Sequence, residues 1–180
     1  MSFLIAVHVN EGIVLASDRR TTYNNTKTVD NKIIQRIGIH TTNSTDKTFV
    51  CPNGAGISTC GDASLLQRPI TGFIQEMIRT KISKDCPVIK IPEIILDFFN
   101  DMPVVPNTNF FVAGYDISDS GKKQLLYKVK VKSKQIESID TTNQGAIWDG
   151  ETHTLTRLLK NVAIKTDDNR YLDLPFEDIL

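Results

Sequence analysis

The sequence predicts an α+β fold built mainly on antiparallel sheet. Three observations carry that prediction. Short apolar runs separated by turn residues fill the first third of the chain. The apolar spacing then lengthens to a helical period between Asp62 and Asn100, and strand patterns return from Asn109. Strands and helices are thus grouped rather than alternating, which favours antiparallel pairing over βαβ crossovers. A length of 180 residues fits one domain, 1–180. A domain of that size buries roughly 70% of its unfolded surface and needs no disulfide or metal staple.

The elements follow in order. Phe3–Val9 reads as a strand, Asn10-Glu11-Gly12 as a tight turn, and Gly12–Ser17 as a second strand. That second strand is nearly all apolar and is expected to be covered on both faces. The stretch from Thr21 to Asn31, rich in Thr and Asn, reads as a loop. Lys32–Ile37 begins a third strand, and Thr48–Cys51 and Ala55–Cys60 suggest two more.

From Asp62 the apolar residues Leu65, Leu66, Pro69, Ile70, Phe73, Ile74, Met77 and Ile78 form a helical stripe. Asp62 is its expected N-cap, and Pro69 should kink or break it. A shorter helix spans Pro92–Asn100, with proline in the first turn, where a missing N–H costs nothing. Asn109–Tyr115, Gln124–Lys132 and Gln135–Asp140 read as strands. In Gln124–Lys132, Leu126, Lys128, Lys130 and Lys132 share a face expected to be solvated. Gly150–Ala163 reads as a helix, and Asp173–Leu180 has the grammar of a helix start.

Composition excludes several classes of function. The 21 basic residues balance 21 acidic ones, which argues against a general nucleic-acid binder. No apolar run reaches the ~18–20 residues of a membrane span. The N-terminus has no positive lead-in or cleavage site of a secretory signal. Cys51, Cys60 and Cys86 are odd in number and scattered, as reduced thiols of a cytoplasmic protein would be. His8, His40 and His153 are too dispersed for a zinc site, and no cofactor is implied. Cys60 is expected to be a small buried hydrophobe, and His8 a structural residue.

The first hairpin brings chemistry to one sheet end. A turn at 10–12 makes facing residue numbers sum to about 21–23, which sets Ser2 opposite Arg19 to Thr21 and near Asp18 and Arg20. If the third strand returns antiparallel to the second, its first residue, Lys32, joins them. Removal of Met1 would leave Ser2 with a hydroxyl and a free α-amine. An amine with a reference pKa of about 7.7–8.0 is well suited to act as a general base. Nucleophile and base would then share one residue. Lys32 would polarise the hydroxyl, and Asp18 would hold Lys32 in its charged form.

Phe3 to Thr22, FLIAVHVNEGIVLASDRRTT, resembles the opening of proteasome β-type subunits and their bacterial relatives. These are N-terminal-nucleophile (Ntn) hydrolases, which open with a nucleophile, a short strand, a turn with Gly, and an apolar strand ending Ala-x-Asp-x-Arg. Here that ending reads Ala16-Ser17-Asp18-Arg19-Arg20. Lys32 resembles the family lysine. Ile57 to Ala63 resembles the small-residue strand leading to Gly-Asp, and Val112 to Asp116 a later strand ending Gly-x-Asp. Gln144-Gly145 stands about where the family has a supporting Ser-Gly.

The resemblance implies a four-layer αββα sandwich of two antiparallel sheets, here lacking the family's C-terminal elements. It implies a peptidase acting on peptide or protein through Ser2, with Asp18, Lys32 and Arg20 in support and the Ser58 backbone N–H as oxyanion donor. It also implies a homo-oligomeric ring, with any unfoldase partner left open. Two alternatives stand beside it: a non-catalytic ring-forming or scaffold subunit, and a narrow small-molecule amidase of the same fold.

Overall fold

The computed structural model describes residues 2–29, 32–118, 121–152, 162–165 and 171–174, without the side chains of 23–40, 117–118, 162–165 and 171–174. The chain falls into two compact units, Met1–Gly150 and Glu151–Leu180. The described residues of the second form one antiparallel pair, which is numbered last below.

In the first unit, β1 (Phe3–Val9) and β2 (Gly12–Ser17) form the expected hairpin. Their register runs from Leu4↔Ser17 to Val9↔Gly12, so facing numbers sum to 21, within the expected range. The other flank of β1 pairs with a strand the sequence reading missed, Gly145–Gly150 (β12). Its run Gly-Ala-Ile-Trp-Asp-Gly is short and has no clean alternation of polar and apolar residues. The sheet order is therefore β12-β1-β2, and β2 is an edge. The expectation that β2 is covered on both faces is corrected: Val14 is 64% exposed.

The stretch Thr21–Asn31, read as a loop, is mostly strand. Thr21–Val29 (β3) and Lys32–Thr42 (β4) form a two-stranded ribbon of their own, from Thr21↔Thr42 to Val29↔Lys32. Polarity made it look like a loop, but threonine is β-branched and favours extended backbone. β4 does not return along β2.

A five-stranded antiparallel sheet forms the second layer. It is built from Thr48–Val50 (β5), Gly56–Gly61 (β6), Thr108–Ser118 (β9), Gly121–Lys130 (β10) and Gln135–Ile139 (β11), in the order β11-β10-β9-β6-β5. Between β6 and the first helix lies a small ribbon, Ser64–Leu65 (β7) with Arg68–Pro69 (β8). Leu66 and Gln67 turn it with φ of 49° and 62°. The helix therefore does not begin at Asp62. It runs Ile70–Lys81 (α1), directly after Pro69, whose ring blocks any N-terminal extension. Asp62 instead accepts the Asn107 N–H at 2.7 Å. A single 3-10 turn, Val88–Lys90, leads into Ile91–Asn100 (α2).

Two cores follow from this arrangement. Phe73, Ile74 and Met77 of α1 and Ile91, Ile95 and Phe99 of α2 bury against Ile57, Phe110, Val112, Tyr127 and Val129 of the large sheet. Leu4 and Ala6 of β1 pack against Cys60, Phe111, Ala113 and Leu126 on its other face. The large sheet thus has the small sheet on one side and helices on the other. The lysine-bearing face of β10 is not uniformly solvated, because Leu126 is buried and Lys128 is mostly so.

Val162–Lys165 (β13) pairs with Tyr171–Leu174 (β14). Val162 and Ala163 therefore belong to a strand, not to the end of the expected helix, while residues 153–161 of that expectation lie outside the described residues. Asp173 and Leu174 are likewise strand, and the rest of the expected closing helix, 175–180, lies outside the described residues. Among the described residues no helix is long and apolar enough to cross a membrane.

Candidate functional site

Ser2 precedes β1 and, continuing the hairpin register, falls opposite Arg19. The end of this hairpin is closed by backbone and side chain together. Asp18 N–H donates to the Phe3 carbonyl at 3.2 Å, and Asp18 Oδ1 accepts from the Phe3 N–H at 2.8 Å. Asp18 Oδ2 accepts from the Arg20 N–H at 3.0 Å. The carboxylate is therefore fixed by two backbone donors before any cation approaches it.

The cation is Lys47. Its Nζ lies 2.9 and 3.0 Å from the two Asp18 oxygens, 3.0 Å from Ser2 Oγ and 2.5 Å from the Arg20 carbonyl oxygen. An ammonium has three hydrogens and no acceptor, so these four oxygens share three donors. The Lys47 side chain is only 6% exposed and that of Asp18 31%, so the contact is largely screened from water. Because Lys47 donates to Ser2 Oγ, the serine's own hydrogen points away from the ammonium.

Of the five expected site residues, the structure brings Ser2, Asp18 and Arg20 together. Arg20 joins them through its main chain, its N–H to Asp18 and its carbonyl to Lys47, and its side chain is exposed. The lysine expected at 32 is found at 47. Lys32 pairs with Val29 at the opposite end of the β3–β4 ribbon from Thr21↔Thr42, and its side chain lies outside the described residues. The ribbon explains the displacement. The chain leaves at Thr21, pairs with itself, and regains the hairpin only where the Thr45 N–H meets the Arg19 carbonyl at 3.2 Å. The lysine that lands beside Asp18 is the next one after that return. Its signal in the sequence was Asp46-Lys47-Thr48-Phe49-Val50, a lysine heading a short strand.

Ser58 is fully buried, with its Oγ 2.9 Å from Thr48 Oγ1. It does not line the small pocket beside Ser2. The walls of that pocket include Thr21, Thr59, Cys60, Gly61 and Ile70; it is partly open to solvent, and its volume of about 20 Å³ gives room for about one water. Gly61 has a φ of +117°, and a side chain there would run into the Asn107 carbonyl. Gly150 has a φ of +88°, and a Cβ there would overlap the Ser2 carbonyl oxygen. The glycine that seats Ser2 is thus Gly150. Gly145 pairs with His8, at the other end of β1.

A second ion pair stands elsewhere between the sheets. Lys128 Nζ lies 3.0 Å from Asp149 Oδ2, which also accepts from Asn109 Nδ2 at 2.9 Å. Cys60 feels both pairs. Burial pushes its thiol up to about 12, with Asp149 adding to the rise and Lys128 and Lys47 opposing it. It is therefore a protonated thiol at neutral pH and not a nucleophile. His8, 5% exposed, is buried at the far end of β1. No protein-family model matches the chain, and no curated protein matches it. The site joins the Ser2 hydroxyl to a buried lysine that the Asp18 carboxylate holds in place.

Proposed function

We propose that this chain is an N-terminal-nucleophile hydrolase of the proteasome-like type, in which Ser2 becomes the N-terminal residue when Met1 is removed. The single observation that carries the reading is the Lys47 ammonium, 3.0 Å from Ser2 Oγ and held by Asp18. In this reading Ser2 Oγ attacks the carbonyl carbon of an amide as its proton passes to the Ser2 α-amine. The developing negative charge is met by Lys47 and by a backbone donor. Gly61 lines the pocket and has no side chain to bar approach to its main chain, whereas Ser58, whose backbone N–H was the expected donor, does not line it. The α-amine then passes the proton to the leaving amine, and water hydrolyses the resulting ester. The expected four-layer αββα sandwich, the homo-oligomeric ring and the cytoplasmic setting belong to the same proposal.

The narrow pocket favours a second reading within this chemistry, an amidase for small acyl groups rather than a peptidase of broad reach. A series of amides graded in acyl size separates the two. The test of the first reading is direct. Intact mass should show loss of Met1, and a serine-reactive electrophile should modify Ser2 in the wild type and nothing in Ser2→Ala. Retained Met1, or equal modification of Ser2→Ala, refutes it, and a ring-forming subunit without catalysis would then fit better.

A further inference from the structure

Three hydroxyls form a continuous chain beside the ion pair. Ser17 Oγ lies 2.8 Å from Thr48 Oγ1, which lies 2.9 Å from Ser58 Oγ. Ser17 ends β2 in the small sheet, and Thr48 and Ser58 face one another on β5 and β6 of the large one. The chain therefore joins the two layers. Its inner end is dry, since Ser58 is fully buried, while Thr48 stands at the exposed rim.

Its position along the sequence gives it meaning. Ser17 precedes Asp18, and Thr48 follows Lys47. The segments 17–18 and 47–48 are thus clamped at two points, one neutral and one ionic. Residues 17–18 and 47–48 are themselves bonded through the main chain within their own sheets, the Asp18 N–H to Phe3 and the Thr59 N–H to the Lys47 carbonyl at 2.8 Å, and the Thr45 N–H to Arg19 carbonyl bond joins the two segments two residues before Lys47. A lysine has four side-chain torsions, so the ion pair alone fixes no backbone distance. The neutral bridge fixes one immediately beside the lysine, whereas the Thr45–Arg19 main-chain bond lies two residues away.

We propose that Thr48 is the positioning residue that sets Lys47 against Asp18 and Ser2, through its hydroxyl bridge from Ser17 to Ser58. The proposal rests on the catalytic reading of Ser2 for its purpose, but its geometry can be tested without activity.

The test follows exchange of the Lys47 ammonium hydrogens with water, by NMR of the lysine-labelled full chain at mildly acidic pH. Thr48→Val with Ser58→Ala removes the bridge without stranding a buried hydroxyl. Exchange at Lys47 should then speed up roughly fivefold for each of the bridge's two hydrogen bonds. Thr48→Ser, which keeps the hydroxyl, should stay near wild type. Lys128, whose ammonium is paired with Asp149 elsewhere between the sheets, is the internal control and should not change. Unchanged exchange at Lys47, equal acceleration at Lys128, or failure of Thr48→Ser to restore protection each overturns the proposal. Modification of Ser2 by the electrophile, measured alongside, should slow in the double variant. If wild-type Ser2 proves inert, the catalytic reading fails while the exchange data still decide the role of Thr48.

Discussion

Asp18 and Arg19 are neighbours, as are Asp46 and Lys47, and the two couples cross-pair. Asp18 meets Lys47 facing inward, and Arg19 meets Asp46 facing outward. The distances hardly differ, 2.9 Å against 2.8 Å. The surroundings differ greatly. Lys47 is 6% exposed and reaches two further oxygens, whereas the side chains of Arg19 and Asp46 are 60% and 65% exposed and, among the described residues, pair with each other alone. The separation of an ion pair therefore says little about its importance. What matters is how much water the pair has lost and which other groups depend on it.

The first way to break this comparison is Lys47→Met, which keeps the side chain's bulk and removes its charge. Ser2 loses the cation beside its hydroxyl, and its modification by a serine-reactive electrophile should fall roughly 10²–10³-fold, the usual loss for one preorganised electrostatic donor. Labelling at the wild-type rate would show that the lysine is only a structural partner of Asp18. The expected Lys32, changed in the same way, should leave the rate unaltered.

That contrast also shows what could be read from the sequence. The β1–β2 register, and with it the meeting of Ser2 with Asp18, follows from one short turn and strict strand geometry. α2 was legible because its apolar period and first-turn proline agree. Lys47 was not legible. Its placement depends on a ribbon whose polar, threonine-rich first strand carries no apolar alternation, so nothing local revealed that the chain would leave and return. The α1 start was misjudged for a similar reason. The stripe from Leu65 to Ile78 has helical spacing throughout, but Pro69 and the turn at Leu66-Gln67 divert its first part into a ribbon. β12 was missed because its pairing with β1 is set by tertiary contact rather than by its own pattern.

A second substitution sharpens the comparison by removing a buried pair that does not touch Ser2. Lys128→Met leaves Asp149 with Asn109 and the Gly150 N–H. With both side chains nearly a fifth exposed, the cost should be about 2 kcal/mol, below the usual range for breaking a fully buried pair. Denaturant unfolding measures it. Ser2 modification should be unchanged, and a parallel collapse of both readouts would mean that the two pairs form one network.

Cys60 reports on both pairs through pH. Its thiol and that of Cys51 are each pushed up to about 12 from 9.0, chiefly by burial. The folded chain keeps these protons above pH 9.0, where the unfolded chain has lost them. Each thiol's contribution is therefore whole below that value. It declines as pH rises towards 12, at about 1.4 kcal/mol per pH unit per thiol. Cys60→Ala should flatten the alkaline loss of stability by the share of one thiol. An unchanged slope would mean that Cys60 ionises as freely folded as unfolded.

The smallest effect is expected at the outward pair. Arg19→Ala removes a guanidinium that meets Asp46 in water, where side-chain entropy and salt screening offset most of the attraction. The change in stability should be at most about 0.5 kcal/mol, and it should shrink further as salt is added. Ser2 modification should stay at the wild-type rate, although Arg19 lies next to Asp18 and Asp46 next to Lys47. The Thr45–Arg19 main-chain bond survives the substitution, so the two segments stay in register. Should Arg19→Ala instead slow Ser2 as strongly as Lys47→Met, the site would depend on the net charge of the two segments, not on the buried contact, and the contrast between the inward and outward pairs would collapse.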